Sequence, residues 1–143
     1  MKNIIDNNWK LGYTTEKVQG GTLMELTKSE MEIMDVLWAA EAPLSRSDLL
    51  ERSENKSWKD SSVHILLNGM LSKGVIREVG FVKRSKTYGR TFAPTLTREE
   101  YFAASVYSHR IKPRIVELVA ALLQREDITA EEMARIKTLV NEK

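Results

Sequence analysis

Apolar and polar positions follow two different periods along this chain. Met31, Met34, Leu37 and Trp38 recur at helical spacing and predict a helix over 28–40. Thr27-Lys28-Ser29-Glu30 opens it as a capping box, with the threonine oxygen taking the Glu30 amide and the carboxylate reaching back. Pro43 ends it. Ser45-Arg46-Ser47-Asp48 is a second cap signal and starts a short helix over 46–54 that carries Leu49 and Leu50. Val63, Leu66, Leu67, Met70 and Leu71 then form one apolar stripe and predict a helix over 60–73. The opposite face holds Ser61, Ser62, His64, Ile65, Asn68 and Gly69. Lys73-Gly74 closes this helix with a cation in its last turn and a glycine just beyond.

The pattern next becomes extended. Val75 to Val82 reads as a strand, Lys83-Arg84-Ser85-Lys86 as a basic turn, and Tyr88 to Phe92 as the returning strand, stopped by Pro94. After this hairpin the chain is helical to its end. Thr97-Arg98-Glu99-Glu100 caps a helix to about 111. Pro113 opens another, with Ile115, Val116, Leu118, Val119, Leu122 and Leu123. Thr129-Ala130-Glu131-Glu132 caps the last, with Met133, Ile136, Leu139 and Val140. Residues 1–23 show no period, end in Gly20-Gly21 and read as a loose arm.

A chain of 143 residues fits one domain with an appendage. With no cysteine, a disulfide framework, a thiolate metal site and a cysteine nucleophile are excluded. His64 and His109 are the two histidines, too few for a histidine metal cluster. The phosphate-loop, dinucleotide, nucleophile-elbow and zinc-protease motifs are missing. The reading is therefore no enzyme, no metal, no cofactor and no small-molecule substrate. No apolar run approaches the ~18 residues of a spanning helix, and the first residues lack an apolar signal core, so a cytoplasmic location is expected.

The net charge of +2 hides a strong asymmetry. Residues 24–57 carry −4, whereas residues 58–92 carry seven basic and two acidic groups, +5. A concentrated basic segment is the electrostatic footprint of phosphate binding, although a solvated basic hairpin produces the same count. Trp38 and Trp58 read as core or hinge aromatics and His64 as a polar contact on an exposed face.

Three helices followed by a two-stranded hairpin is the order of a winged helix-turn-helix. The overall reading is mainly α with a small β-hairpin: a winged helix-turn-helix domain over 24–95, then a C-terminal helical dimerisation region over 96–143. LTKSEMEIMDVLW, LSRSDLLERS and SWKDSSVHILLNGMLSKGVI together resemble the penicillinase repressor family, and Phe92-Ala93-Pro94 resembles the close of its wing. The resemblance implies a homodimeric repressor with a palindromic operator in double-stranded DNA. It places Ser61, Ser62, Ile65 and Gly69 at the family's DNA-facing positions. Ile65 and Gly69 stand where the family usually has Thr and Arg, which implies an altered operator preference. Asn68 can pair with adenine and Ile65 can touch a thymine methyl.

The DNA-contact set expected is Ser45, Arg46, Lys59, Ser61, Ser62, His64, Ile65, Asn68, Lys83, Arg84, Lys86 and Arg90. The expected dimer interface is Val106, Ile115, Leu118, Val119, Leu122, Ile136 and Leu139, and the chain up to Pro94 is expected to fold without it. A membrane sensor or protease is a further partner that the resemblance suggests for relief of repression. The Asn-Phe bond cut in penicillinase-type members does not occur here, and the copper-binding cysteines of others are missing. Met24 begins MELTKSE, where family members commonly start, so residues 1–23 are either an arm or a translated leader. The alternative to a repressor is a winged-helix protein–protein interaction module that does not bind DNA.

Overall fold

The computed structural model describes residues 25–84 and 87–143, with positions 84, 87 and 88 described by their backbone alone. The arm over 1–23 and Lys86 lie outside the described residues. The elements in chain order are α1 (Lys28–Ala39), β1 (Leu44–Ser45), α2 (Arg46–Arg52), a 3₁₀ turn (Asp60–Ser62) leading into α3 (Val63–Ser72), β2 (Ile76–Arg84), β3 (Thr87–Pro94), α4 (Arg98–Ser108), α5 (Ile115–Leu123) and α6 (Ala130–Asn141). All six expected helices and both hairpin strands are present. This is a winged-helix fold.

The capping boxes form as their sequences require. Thr27 Oγ1 accepts the Glu30 amide at 3.2 Å and the Glu30 carboxylate accepts the Thr27 amide at 2.9 Å. The same reciprocal pair joins Ser45 to Asp48, Thr97 to Glu100 and Thr129 to Glu132. Gly74 ends α3 with φ of +75°, a left-handed turn that a side chain would resist.

β2 and β3 form the antiparallel hairpin, and β1 adds to the far edge of β3 through Leu44 opposite Phe92 and Ser45 opposite Thr91. The sequence pattern missed β1, since two residues display no period. The pairing of β2 with β3 runs from Ile76 opposite Pro94 to Arg84 opposite Thr87, with a bulge between Glu78 and Gly80.

The core is built from the inner faces of these elements: Ile33, Met34 and Leu37 of α1, Leu49 of α2, Val63, Leu67 and Met70 of α3, and Val75, Ile76 and Phe92 of the hairpin. Leu96 and Tyr101 belong to the same core. Trp38 donates its indole N–H to the Leu96 carbonyl at 3.0 Å, and its ring lies 5.7 Å from that of Tyr101. The compact unit therefore runs to Ser108 and keeps α4, past the boundary expected after Thr95. A truncation after Pro94 would remove buried Leu96 and Tyr101 from this core. Residues from His109 onward form a second unit, holding α5 and α6. No side chain of α5 or α6 is fully buried.

One ion pair joins the start of α1 to the end of α3. Lys73 Nζ donates to Glu30 Oε1 at 2.5 Å and to the Glu25 carbonyl at 3.0 Å. Burial alone raises the Glu30 carboxyl, but the Lys73 ammonium and the Thr27 amide outweigh it and hold the carboxyl below its ordinary 4.5. A depressed acid contributes stability above its unfolded value and loses that contribution as the pH falls through and below about 4.5. Glu30→Ala should cost about 3 kcal/mol, since it leaves the Lys73 ammonium without its partner in a largely buried position. Glu30→Gln should also lose part of its acid sensitivity between pH 5 and 3, measured by urea unfolding across pH ~3–7.

Candidate nucleic-acid interface

The outer face of α3 is built by subtraction. Val63, Leu67 and Met70 face the core and Leu66 and Leu71 flank it, so His64, Ile65, Asn68 and Ser72 point to solvent. Ser61 is exposed in the 3₁₀ turn just before, and Ser62 is half-buried there. This helix is bare along one side, with Ile65 at 75% exposure. In the surrounding turn Lys56 pairs with Asp60 at 2.8 Å. Lys59 stands exposed at the head of the turn.

Gly69 borders the bare face. It lies on the flank turned to α1, where an added Cβ would come within 3.0 Å of Glu30 Oε2. One helical turn separates it from Ile65 on one side and from Lys73 on the other, so it lies at the edge of the outer face nearest α1.

α2 and α3 meet at the surface through Arg46 and His64, with the guanidinium hydrogen-bonded to the imidazole Nε2. A guanidinium only donates, so the imidazole nitrogen is the acceptor in that contact. Ser45, expected among the DNA contacts, is buried at 2% exposure. Its hydroxyl accepts the Asp48 amide at 3.2 Å as the cap of α2, while its backbone pairs with Thr91 in the sheet. Its hydroxyl is thus engaged as the cap of α2 while its backbone is held in the sheet.

The wing is the distal part of β2 and β3. Lys83 is exposed there, and Arg84 lies on β2 with its backbone paired to Thr87. Arg90 is only partly free, because it reaches across to Glu78 at 2.5 Å and lies over the Phe92 ring at 5.2 Å. That pair is not visible in the sequence, since it depends on the register that sets Glu78 opposite Phe92, two residues from Arg90 on the same face of β3.

Of the expected interface residues, Val106 is half-buried on α4 in the first unit. In the second unit Ile115, Val119, Leu122 and Leu139 are exposed and Leu118 and Ile136 half-buried. Among the described residues no helix is long and apolar enough to cross a membrane.

A three-helix core, a bare third helix and a basic hairpin at the end of a small antiparallel sheet define a winged helix-turn-helix protein. The chain belongs to the penicillinase repressor family, whose pattern it matches over residues 26–142, and that family is one of transcriptional regulators. It is also similar to an uncharacterized 16.5 kDa protein in the ptsI 3′ region of Latilactobacillus sakei, at 28% identity over 125 residues, covering 83% of this chain and 80% of the relative.

Ser45→Ala should lower stability by about 1 kcal/mol through loss of the α2 cap. Arg46→Ala, at an exposed position, should change stability by less than about 0.5 kcal/mol. Thermal melts of the two variants against the parent check both values.

Proposed function

We propose that this regulator is a homodimeric repressor that binds a palindromic operator in double-stranded DNA, with α3 in the major groove and the wing along the neighbouring backbone. The observation that supports this most is the bare outer face of α3, with Ser61, His64, Ile65 and Asn68 side by side. An α-helix fits the major groove, ~12 Å wide, and this face offers a carboxamide for adenine and an apolar tip for a thymine methyl. The +5 charge of residues 58–92 supplies the long-range attraction to phosphate. Lys59 at the head of the 3₁₀ turn, Arg46 at the start of α2 and Lys83, Arg84 and Lys86 on the wing are the phosphate contacts in this reading.

Dimerisation rests on area. α5 carries Ile115, Val116, Leu118, Val119, Leu122 and Leu123, yet buries none of them fully. A helix that is apolar round most of its circumference needs a covering surface. A second copy about a two-fold axis is the commonest symmetric solution. The same axis sets two α3 helices about 34–36 Å apart, or a multiple, to match a palindrome. Joining two weak half-site contacts this way can add ~10²–10⁴ in apparent affinity. Repression is placed in the cytoplasm, with a sensor or protease as the partner that relieves it.

Titration of the full chain against duplex DNA from its own promoter, at low and high salt, tests the reading. Specific binding with steep salt dependence is expected. Replacing Lys83, Arg84 and Lys86 together with Ala should weaken binding to all sequences and flatten the salt slope by up to about 3, whereas Asn68→Ala should alter which bases are preferred. Equal binding by the triple variant at every salt concentration would contradict the wing assignment. In sedimentation the parent should be a dimer at micromolar concentration, and Leu122→Asp with Leu139→Asp should shift it to monomer. A parent that sediments as a monomer contradicts the dimer.

A further inference from the structure

The bulge between Glu78 and Gly80 has a consequence for the wing that depends on register alone. Before it, Ile76 and Glu78 lie opposite Pro94 and Phe92, on the face whose Ile76 and Phe92 side chains enter the core. Side chains alternate along a strand, so without a bulge the next members of that face would be residues 80 and 82. The extra residue shifts the alternation. Phe81 lies opposite Arg90 and Lys83 opposite Tyr88, so Phe81 and Lys83 join the face of Ile76 and Phe92. Gly80, opposite Thr91, and Gly89, opposite Val82, fall on the reverse side. A bulge that re-aims a side chain is a recurrent device next to functional sites.

Phe81, on this face beyond the core, is 71% exposed. Arg90, its cross-strand neighbour, does not shield the ring, because Glu78 holds its guanidinium at 2.5 Å and the Phe92 ring lies beneath it. Among the described residues of the first unit the two most exposed large apolar side chains are Ile65 on α3 and Phe81 on the wing. Both stand on the segment that carries the +5 charge, with exposed Lys83 two residues from Phe81. A lone exposed apolar side chain is ordinary. A phenylalanine turned by a bulge, left unshielded and flanked by basic residues matches a surface that is anionic at its edges and apolar between them.

We infer that Phe81 is an apolar DNA contact of the wing, its ring set against the sugars and base edges of the minor groove while Lys83 meets the phosphate beside it. The inference rests on the DNA-binding reading above and adds to it a contact that does not depend on charge. Apolar side chains in the minor groove act through contact and partial unstacking, and their loss leaves the number of released counterions unchanged.

The two kinds of contact separate in a salt series. The probe is a fluorescein-labelled duplex from the region upstream of the protein's own gene, with a mixed-sequence duplex of equal length as control, titrated by anisotropy with the full chain. Phe81→Ala should weaken binding to the upstream duplex about tenfold at every salt concentration, with the slope of log K against log salt unchanged. Phe81→Leu should recover part of the loss. Lys83→Ala should instead lower the slope by about one. Phe81→Ala should melt at the parent's temperature and sediment as the parent does, since the ring is mostly exposed. Parent-like affinity of Phe81→Ala overturns the inference and leaves the DNA-binding reading in place. A fall in slope, in melting temperature or in dimer content for Phe81→Ala also overturns it, assigning the ring to charge placement, to folding or to a second copy of the chain. If the parent binds neither duplex, both readings fail together.

Discussion

The position of α3 depends on the contact between Lys73 and Glu30. Three separate parts of the chain converge there. The Lys73 ammonium closes the last turn of α3, the Glu30 carboxylate closes the first turn of α1, and the Glu25 carbonyl joins them from the segment before α1. Gly69 permits the approach, since any side chain there presses on Glu30 Oε2. A mostly buried ion pair is a modest source of net stability, because desolvation offsets most of its attraction. Its value lies in geometry: it allows one placement of α3 against α1. That placement carries Val63, Leu67 and Met70 inward and leaves the opposite side of the helix bare. The interface is a consequence of which side the ion pair and the core have already taken.

The hairpin is held to the helices by a second set of constraints at its base. Thr95 donates its hydroxyl to the Gly74 carbonyl at 2.6 Å and its amide to the Val75 carbonyl at 2.9 Å, closing the loop between α3 and the end of β3. β1 pins the other edge of β3, and Ser45 serves both that strand and the α2 cap. The base of the wing is thereby fixed while its distal part extends beyond the core. A rigid base and an exposed end suit a contact that must reach a second groove without reorganising.

Most of the architecture was legible because it is local. Capping boxes at Thr27, Ser45, Thr97 and Thr129, the glycine after α3 and the apolar stripe of α3 each specify their element within a few residues. What was not legible is what depends on distant residues. β1 is two residues long and exists only because Phe92 and Thr91 lie beside it. The Glu78–Arg90 pair, the bulge and the direction of Phe81 all follow from the register of two strands. α4 reads from sequence as part of the C-terminal helical region, whereas the Trp38–Leu96 hydrogen bond and buried Tyr101 tie it to the first unit. The burial of Ser45 beneath its cap and the closeness of Gly69 to Glu30 likewise depend on residues distant in sequence. His64, Ile65 and Asn68 were assigned from helical spacing, and the structure leaves them exposed side by side.

The central claim is that one surface, made of the outer face of α3 and the wing, meets DNA. Backbone amide chemical shifts of the ¹⁵N-labelled full chain, followed while duplex from its own promoter is added, locate that surface directly. The account predicts the largest shifts at Lys59, Ser61, Ile65, Asn68, Phe81 and Lys83, with the amides of Ile33 and Leu37 in the core of α1 nearly unmoved. Shifts concentrated on α5 and α6, or none on α3, would contradict it.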